Sequence, residues 1–279
     1  MVALVLLAAC SSDDDDAVPS TAPPPRGYVA LGDSYSAGEG AREYDVESGS
    51  CRRSGKAWPA ALDRLEERFE LLELRACGGA TAEHLLGPWE SRDQPAQIPS
   101  DEHPEVGLVT LTVGGNDAGF GEIVLRCVLL SCAGVPGSGD YTRGLAELTT
   151  TLATEVYPRL AAAYPRARLV HVGYPRLTPA AGEPVVDCSW LSGDERSAAA
   201  DIVTGLNDAV AEATERASDA GIDVAYLDVT EAFEGHELCS DGVPWVNEVL
   251  SLDAERAHPT VEGHRALAAA VADGLDRLR

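Results

Sequence analysis

Residues 28–40 read Tyr-Val-Ala-Leu-Gly-Asp-Ser-Tyr-Ser-Ala-Gly-Glu-Gly, and this stretch decides how the chain folds. Its first residues have the apolar composition of a short buried β-strand, and the strand ends at Gly32. Ser34 is therefore predicted to lie on a turn between a strand and a helix, where backbone amides point into a crevice. A serine in this place can act as a nucleophile, or it can simply cap the helix.

The rest of the chain alternates short β-rich runs with longer helical patterns. Predicted strands cover 28–32, 69–75, 107–113, 168–172 and 223–227, and predicted helices cover 57–68, 141–163, 195–220 and 260–278. Pro158 is expected to interrupt or kink the second of these helices. Such alternation predicts a flavodoxin-like three-layer α/β/α sandwich around a central five-stranded parallel sheet. Its ligand crevice should lie at the C-terminal ends of the strands.

Two more polar residues are predicted to reach the same edge of the sheet. The third strand runs into Gly114-Gly115-Asn116-Asp117, which by itself indicates only a turn. His258 stands in the loop before an amphipathic helix, where a lone histidine would be a surface or capping residue. A serine, an amide and a histidine at the ends of elements that face one crevice favour nucleophilic catalysis.

The N-terminal segment has the pattern of an export signal. An apolar run over 4–9 ends at Cys10 and resembles the lipobox of bacterial lipoproteins, whose cysteine is acylated; a shortened ordinary signal peptide is the alternative. The basic n-region that either signal needs is missing from residues 1–9, so we expect a start codon upstream. We predict a lipoprotein-type signal segment over 1–10, a disordered tether rich in Ser, Asp and Pro over 11–26, and one folded domain over 27–279.

Charge and cysteine content narrow the function further. The chain has 279 residues and a formal net charge of -25, which repels phosphate backbones and argues against a nucleic-acid partner. Apart from Cys10, an even number of cysteines in an exported chain predicts disulfides, whose pairing the sequence leaves open. A zinc site is disfavoured because no two cysteines have C-x-x-C spacing. We expect no metal and no organic cofactor. The six domain cysteines are Cys51, Cys77, Cys127, Cys132, Cys188 and Cys239.

Four blocks follow one another along the chain: Gly32-Asp33-Ser34, Gly79 within 77–81, Gly114-Gly115-Asn116-Asp117 and His258-Pro259. In this order they resemble the blocks of the SGNH (GDSL) hydrolases, and the first is similar to that of the secreted actinobacterial esterases and lipases of that family. The domain over 27–279 is thus expected to be an SGNH hydrolase domain. The resemblance covers 28–278. It implies a serine esterase or lipase that hydrolyses acyl esters, with a carbohydrate acetyl esterase as the alternative and an inactive surface-binding lipoprotein as a distant one.

The resemblance also implies a role for each of these residues. Ser34 is the nucleophile, and His258 is the base that accepts its proton. The backbone N–H groups of Ser34 and Gly79 and the side-chain amide of Asn116 form the oxyanion hole. A glycine at position 79 lets the backbone approach the reacting centre closely.

The residue that orients the histidine is left open. Many relatives carry Asp three residues before the histidine, and here that position holds Glu255. A backbone carbonyl in the same stretch could orient the imidazole instead, as is thought for some close relatives, and Asp253 is a further candidate.

The family resemblance further implies sequential disulfides, Cys51 with Cys77, Cys127 with Cys132 and Cys188 with Cys239. Apolar residues over 123–125 and 128–130 follow the Asn116 block, and they are either a wall for an acyl chain or a buried helix.

We expect a monomer outside the cytoplasm that acts on a small-molecule or lipid acyl ester. Its contact with the membrane would be made only through a lipid anchor on Cys10 at the cell surface.

Overall fold

The structure is a computed structural model that describes residues 26–179, 182–186, 188–249 and 255–278. The predicted signal segment with Cys10 lies outside these residues, as do the tether up to residue 25 and Asp253. Within the described residues, no helix is long and apolar enough to cross a membrane.

A five-stranded sheet forms the centre of the molecule, and every pair of neighbouring strands is parallel. The strand order is β2-β1-β3-β4-β5, which is the order of flavodoxin, so the predicted fold class is confirmed. All five predicted strands are present, with boundaries that differ by at most one residue. The strands are β1 Gly27–Gly32, β2 Glu70–Leu74, β3 Val106–Thr112, β4 Arg168–Val172 and β5 Val224–Leu227.

Helices cover the sheet, with α2 packed on α8 and α5 packed on α7. The helix predicted over 57–68 ends earlier, because the backbone is already extended at Glu66. Two short 3₁₀ segments, Val46–Cys51 and Glu90–Arg92, lie in the loops. The α-helices are α1 Ser34–Ala37, α2 Trp58–Leu65, α3 Ala82–Leu86, α4 Phe120–Leu129, α5 Gly139–Thr151, α6 Tyr157–Ala163, α7 Gly193–Asp219 and α8 Val261–Arg277.

Pro158 is accommodated by a π-helical segment rather than by a break. The segment Leu152–Val156 joins α5 to α6, and the N–H of Tyr157 bonds to the carbonyl of Leu152. Proline has no N–H to continue the α-helical ladder, so a local change of helical pitch is expected just before it. The chain therefore stays helical through the position at which the sequence predicts an interruption or a kink.

The strands at the centre of the sheet, β1 and β3, are buried and fix the residues that follow them. Every residue of β1 is buried, and β3 is buried apart from one partly exposed residue. Strand β2, by contrast, lies at the sheet edge and is mostly exposed. Parallel strands align their carboxyl ends, so the residues that follow β1 and β3 are held side by side. These residues are the serine and amide blocks.

The structure contains the three disulfides that the family resemblance implies. They join Cys51 to Cys77, Cys127 to Cys132 and Cys188 to Cys239. The first of them holds the loop after β2, which carries Gly79, against the 3₁₀ segment Val46–Cys51.

Candidate active site

Ser34 is the first residue of α1, and the residue before it caps the helix. The Asp33 side chain accepts a hydrogen bond from the N–H of Tyr35 at 2.9 Å. Since Asp33 does the capping, the hydroxyl of Ser34 is left for another partner. That partner is His258, whose Nε2 lies 2.8 Å from Ser34 Oγ. The structural alternative for Ser34, a helix cap, is not what the structure shows.

The backbone just before Ser34 is fixed by bonds from two other segments. The side chain of Gln97 accepts from the N–H of Gly32 at 2.7 Å and donates to its carbonyl at 2.9 Å. The N–H of Asp33 bonds to the carbonyl of Thr112 at 2.8 Å. Because Gln97 satisfies both polar groups of a buried glycine, the end of β1 has little freedom to shift.

Tyr174 connects the serine block to the amide block. Its hydroxyl donates to Asp33 Oδ2 at 2.5 Å and accepts from the N–H of Gly115 at 2.9 Å. Burial raises the pKa of Asp33 to about 7, and the hydrogen bond from Tyr174 opposes that rise. Tyr174 thereby aligns the turn after β1 with the turn after β3.

His258 has the hydrogen-bonding pattern of a general base. Its Nδ1 lies 2.9 Å from the carbonyl oxygen of Arg256, and because a carbonyl only accepts, Nδ1 carries the hydrogen. Nε2 is then the acceptor that faces Ser34. Burial lowers the pKa of His258 to about 4, against the opposing effect of the Arg256 carbonyl. The imidazole is therefore neutral at neutral pH and able to take a proton.

Glu255 makes its side-chain hydrogen bonds to residues other than His258. Its carboxylate accepts from the Tyr44 hydroxyl at 2.9 Å and from Arg42 Nε at 3.0 Å, and Arg52 lies 3.4 Å away. Of the alternatives that the sequence leaves open, the structure places the carbonyl of Arg256 at Nδ1. Asp253 lies outside the described residues.

Distant residues hold the loop that carries His258. The Tyr35 hydroxyl donates to the carbonyl of Ala257 at 2.8 Å, and Ala257 has a positive φ of 59°. Asn247 Nδ2 lies 3.0 Å from the carbonyl of His258 and 3.2 Å from that of Gly40. A Cβ on Gly40 would meet the Pro259 carbonyl at 2.3 Å, so only glycine allows this approach. Asn247 thus joins the serine block to the histidine loop.

One carboxylate does approach the histidine, on the side of Nε2. Glu39 Oε2 lies 3.7 Å from His258 Nε2 and 3.8 Å from Arg52. Burial raises the pKa of Glu39, and the charge of Arg52 opposes the rise. The residue belongs to the quoted stretch, but the sequence reasoning gave it no role.

The predicted oxyanion donors lie in one cavity with the serine and the histidine. This cavity has a volume of about 370 Å³, and Ser34, Gly79, Asn116 and His258 all line it. Gly79 has a φ of 80°, which a side chain would strain, and Asn116 Nδ2 donates to the carbonyl of Ala80 at 2.9 Å. The structure therefore brings together all four residues that the motifs single out.

Helix α4 forms an apolar side of the site. Phe120 and Val124 line the catalytic cavity and also a second, apolar cavity, which Ile123 lines as well. At the C-terminal end of α4, Leu129 and Leu130 are exposed. The apolar residues after the Asn116 block are therefore not simply a buried helix, and only those in the first turns of α4 face the cavities as a wall for an acyl chain would.

Three positioning residues escaped the sequence reasoning. Tyr174 follows β4 at the same sheet edge and could have been found by the rule that located Asn116. Gln97 and Asn247 lie in loops without periodicity, and nothing in the sequence marks them. Among the described residues, no group of three or more His, Cys, Asp or Glu side chains could hold a metal ion.

The chain is similar in sequence and structure to known lipases. The model of the GDSL-like Lipase/Acylhydrolase family matches residues 30–266. A lipase of Streptomyces rimosus is 36% identical over 239 residues, which are 85% of this chain and 81% of the relative. The crystal structure of an extracellular lipase from the same species has a TM-score of 0.66 at 32% identity and covers 89% of this chain and 99% of its own. A phospholipase A1 from Streptomyces albidoflavus has a TM-score of 0.67 at 32% identity, covering 90% of this chain and 99% of its own.

Proposed function

The chain belongs to the GDSL-like lipase/acylhydrolase family, and from this premise we propose that it hydrolyses carboxylic esters through an acyl-enzyme on Ser34. The observation that carries the proposal is the distance of 2.8 Å between Ser34 Oγ and His258 Nε2 in a cavity open to substrate. A neutral imidazole at hydrogen-bond distance from a serine hydroxyl is the arrangement that activates a serine nucleophile.

The reaction then follows two steps. As Ser34 Oγ attacks the acyl carbon, His258 Nε2 takes its proton, and the Arg256 carbonyl holds Nδ1–H and stabilises the imidazolium. Negative charge develops on the former carbonyl oxygen, which the N–H groups of Ser34 and Gly79 and the Asn116 amide meet. His258 passes the proton to the leaving alcohol, and water then cleaves the acyl-enzyme by the same route in reverse.

The substrate class that fits best is an ester with an apolar acyl chain. Phe120 and Val124 lie between the catalytic cavity and the apolar cavity, so a chain bound at Ser34 could pass directly into apolar surroundings. The names lipase and phospholipase A1 of two similar proteins agree with this choice.

We further propose that the protein acts outside the cytoplasm. Three disulfides are typical of exported chains, and one of the similar structures is that of an extracellular lipase. Acylation of Cys10 and the monomeric state stay predictions. Intact mass of the protein from membranes of its native host tests the first, and light scattering tests the second.

The test of the catalytic proposal is covalent labelling combined with substitution. A fluorophosphonate probe should label Ser34, and Ser34→Ala should lower kcat by about a million-fold, as the loss of a triad nucleophile does. Ser36→Ala is the matched control because Ser36 belongs to the same block but is fully buried. Wild-type activity in Ser34→Ala would disprove the proposed mechanism.

The substrate class is tested by a series of nitrophenyl esters from acetyl to palmitoyl, beside acetylated xylan and a phospholipid. We expect kcat/KM to rise with chain length from acetyl, and Val124→Trp to weaken that rise by filling the passage between the cavities. A preference for acetylated xylan that Val124→Trp leaves unchanged would favour the carbohydrate esterase.

A further inference from the structure

Arg92 donates a hydrogen bond to the backbone beside the predicted oxyanion hole. Its Nη1 lies 2.5 Å from the carbonyl oxygen of Gly78. That carbonyl and the N–H of Gly79 belong to the same peptide group. A charged donor on the carbonyl oxygen of a peptide polarises the whole group and makes its N–H a stronger donor.

Aromatic stacking holds the guanidinium in place. It lies 3.9 Å from the ring centroid of Trp89, and the imidazole of His84 stacks on the same indole at 3.8 Å. Trp89 is anchored in turn, because its N–H bonds to the carbonyl of Gln94 at 2.8 Å. Cation–π contact and a fixed platform limit the motion of Arg92 relative to the glycine loop.

The peptide that precedes the one contacted by Arg92 is fixed as well. The N–H of Gly78 bonds at 3.0 Å to the carbonyl of Cys51, whose side chain is disulfide-bonded to Cys77. Among the described residues, the N–H of Gly79 has no hydrogen-bond partner. A Cβ on Gly79 would lie 3.4 Å from Arg92 Nη2, so the guanidinium packs directly against the loop at Gly79.

We propose that Arg92 is a positioning residue of the oxyanion hole. It holds the peptide between Gly78 and Gly79 in one plane and strengthens the Gly79 N–H as a donor to the oxygen that becomes negative. This role rests on the proposed ester hydrolysis at Ser34. The alternative to be separated by the test is that the guanidinium, which lines the same cavity, binds an anionic group of the substrate such as a phosphodiester.

Substitution with a matched control separates these roles. Arg92→Gln removes the charge, and Arg92→Lys keeps the charge but not the planar fork. Arg53→Gln is the control, because Arg53 Nη1 donates to the carbonyl of Ala76, at 3.3 Å, on the same loop but not on the oxyanion peptide. The readouts are kcat and KM on a neutral nitrophenyl ester, Ki for an alkyl boronic acid that binds serine as a tetrahedral anion, and the melting temperature.

We expect Arg92→Gln to lower kcat by about ten- to fiftyfold with KM within about twofold, a smaller effect than outright loss of an oxyanion donor. The boronic acid Ki should rise by the same factor as kcat falls. Arg92→Lys should lose about threefold, because it retains the charge beside the peptide. Arg53→Gln should keep kcat within about twofold at a similar loss of melting temperature, because its bond lies away from the transition state.

Three results would overturn the inference. The first is an unchanged kcat on the neutral ester with a raised KM only for an anionic ester, which would make Arg92 a substrate-binding residue. The second is an equal loss of kcat in Arg53→Gln, which would assign the effect to the general stability of the loop. The third is a boronic acid Ki that does not move. If Arg92→Gln fails to fold, Arg92→Lys gives the same comparison at lower amplitude. Failure of the proposed function is separate, because it appears as activity in Ser34→Ala.

Discussion

The proposed nucleophile and the proposed base of this site are held in different ways. Ser34 follows a strand whose residues are all buried, and the bonds that fix its turn come from the neighbouring strand end and from Gln97. His258 lies in a half-buried loop, which Tyr35 and Asn247 attach to the rest of the site.

The fold itself thus positions Ser34, whereas individual hydrogen bonds position His258. A strand end in a parallel sheet places a nucleophile through the fold itself. A loop has no such support, so the orientation of its histidine depends on particular hydrogen bonds. Glu255, at the position where many relatives carry an acid, is engaged by Arg42, Tyr44 and Arg52, and the group at Nδ1 is the backbone carbonyl of Arg256.

The largest loss of kcat in this comparison is expected at Asn116, which follows the end of β3. Asn116→Ala should lower kcat by about a hundred- to a thousandfold with little change in KM, because its amide meets charge that develops only in the transition state. Steady-state kinetics on one neutral ester measure both quantities. A change confined to KM would remove Asn116 from the oxyanion hole.

The base loop should be sensitive to one distant residue. Asn247→Ala removes the amide that lies between Gly40 and His258, so kcat should fall by about tenfold or more, since small misplacements of a reacting group are costly. The melting temperature should change little, because Asn247 is only partly buried. Unchanged kcat would show that the loop is held by its own backbone.

Substitution of Gln97, which holds the end of β1 before Ser34, should lower stability rather than kcat. Gln97→Leu leaves the N–H of Gly32 without a partner, while the carbonyl of Gly32 keeps its bond from the N–H of Cys77, so the free energy of unfolding should drop by about 1 to 3 kcal/mol. The folded fraction should keep kcat within about threefold, because β3 still holds the strand end. Chemical denaturation with activity measured on the folded protein checks both. A loss of kcat larger than that of Asn247→Ala would reverse the comparison.

The smallest effect is expected in the dependence of kcat/KM on pH. His258 accepts a proton only when neutral, and burial lowers its pKa to about 4, so kcat/KM should fall as pH drops through about 4 and not earlier. An ordinary histidine would already lose roughly tenfold by about pH 5.5. Burial raises the pKa of Asp33 to about 7, so Asp33→Asn is the control for any inflection in the neutral range.

The sequence predicted most of the fold and the members of the site, but not the contacts that orient them. The strands were found because apolar runs and turn glycines are local signals, and Ser34 and Asn116 follow directly from strand ends. The π-helical segment before Pro158 was missed because proline marks the disturbance and not its form. Asn247 and the partner of Nδ1 depend on contacts between loops far apart in sequence, which no local pattern encodes.

The central claim is that the base is oriented by the Arg256 carbonyl and by no carboxylate. It is tested most directly by kcat of Glu255→Gln, measured beside Asp253→Asn. We expect each to change kcat by no more than a few-fold, since the Glu255 carboxylate binds Tyr44 and Arg42 and not the imidazole. A loss approaching about 10⁴-fold in either variant, as when a triad acid is replaced by its amide, would contradict the account and identify that carboxylate as the third catalytic member.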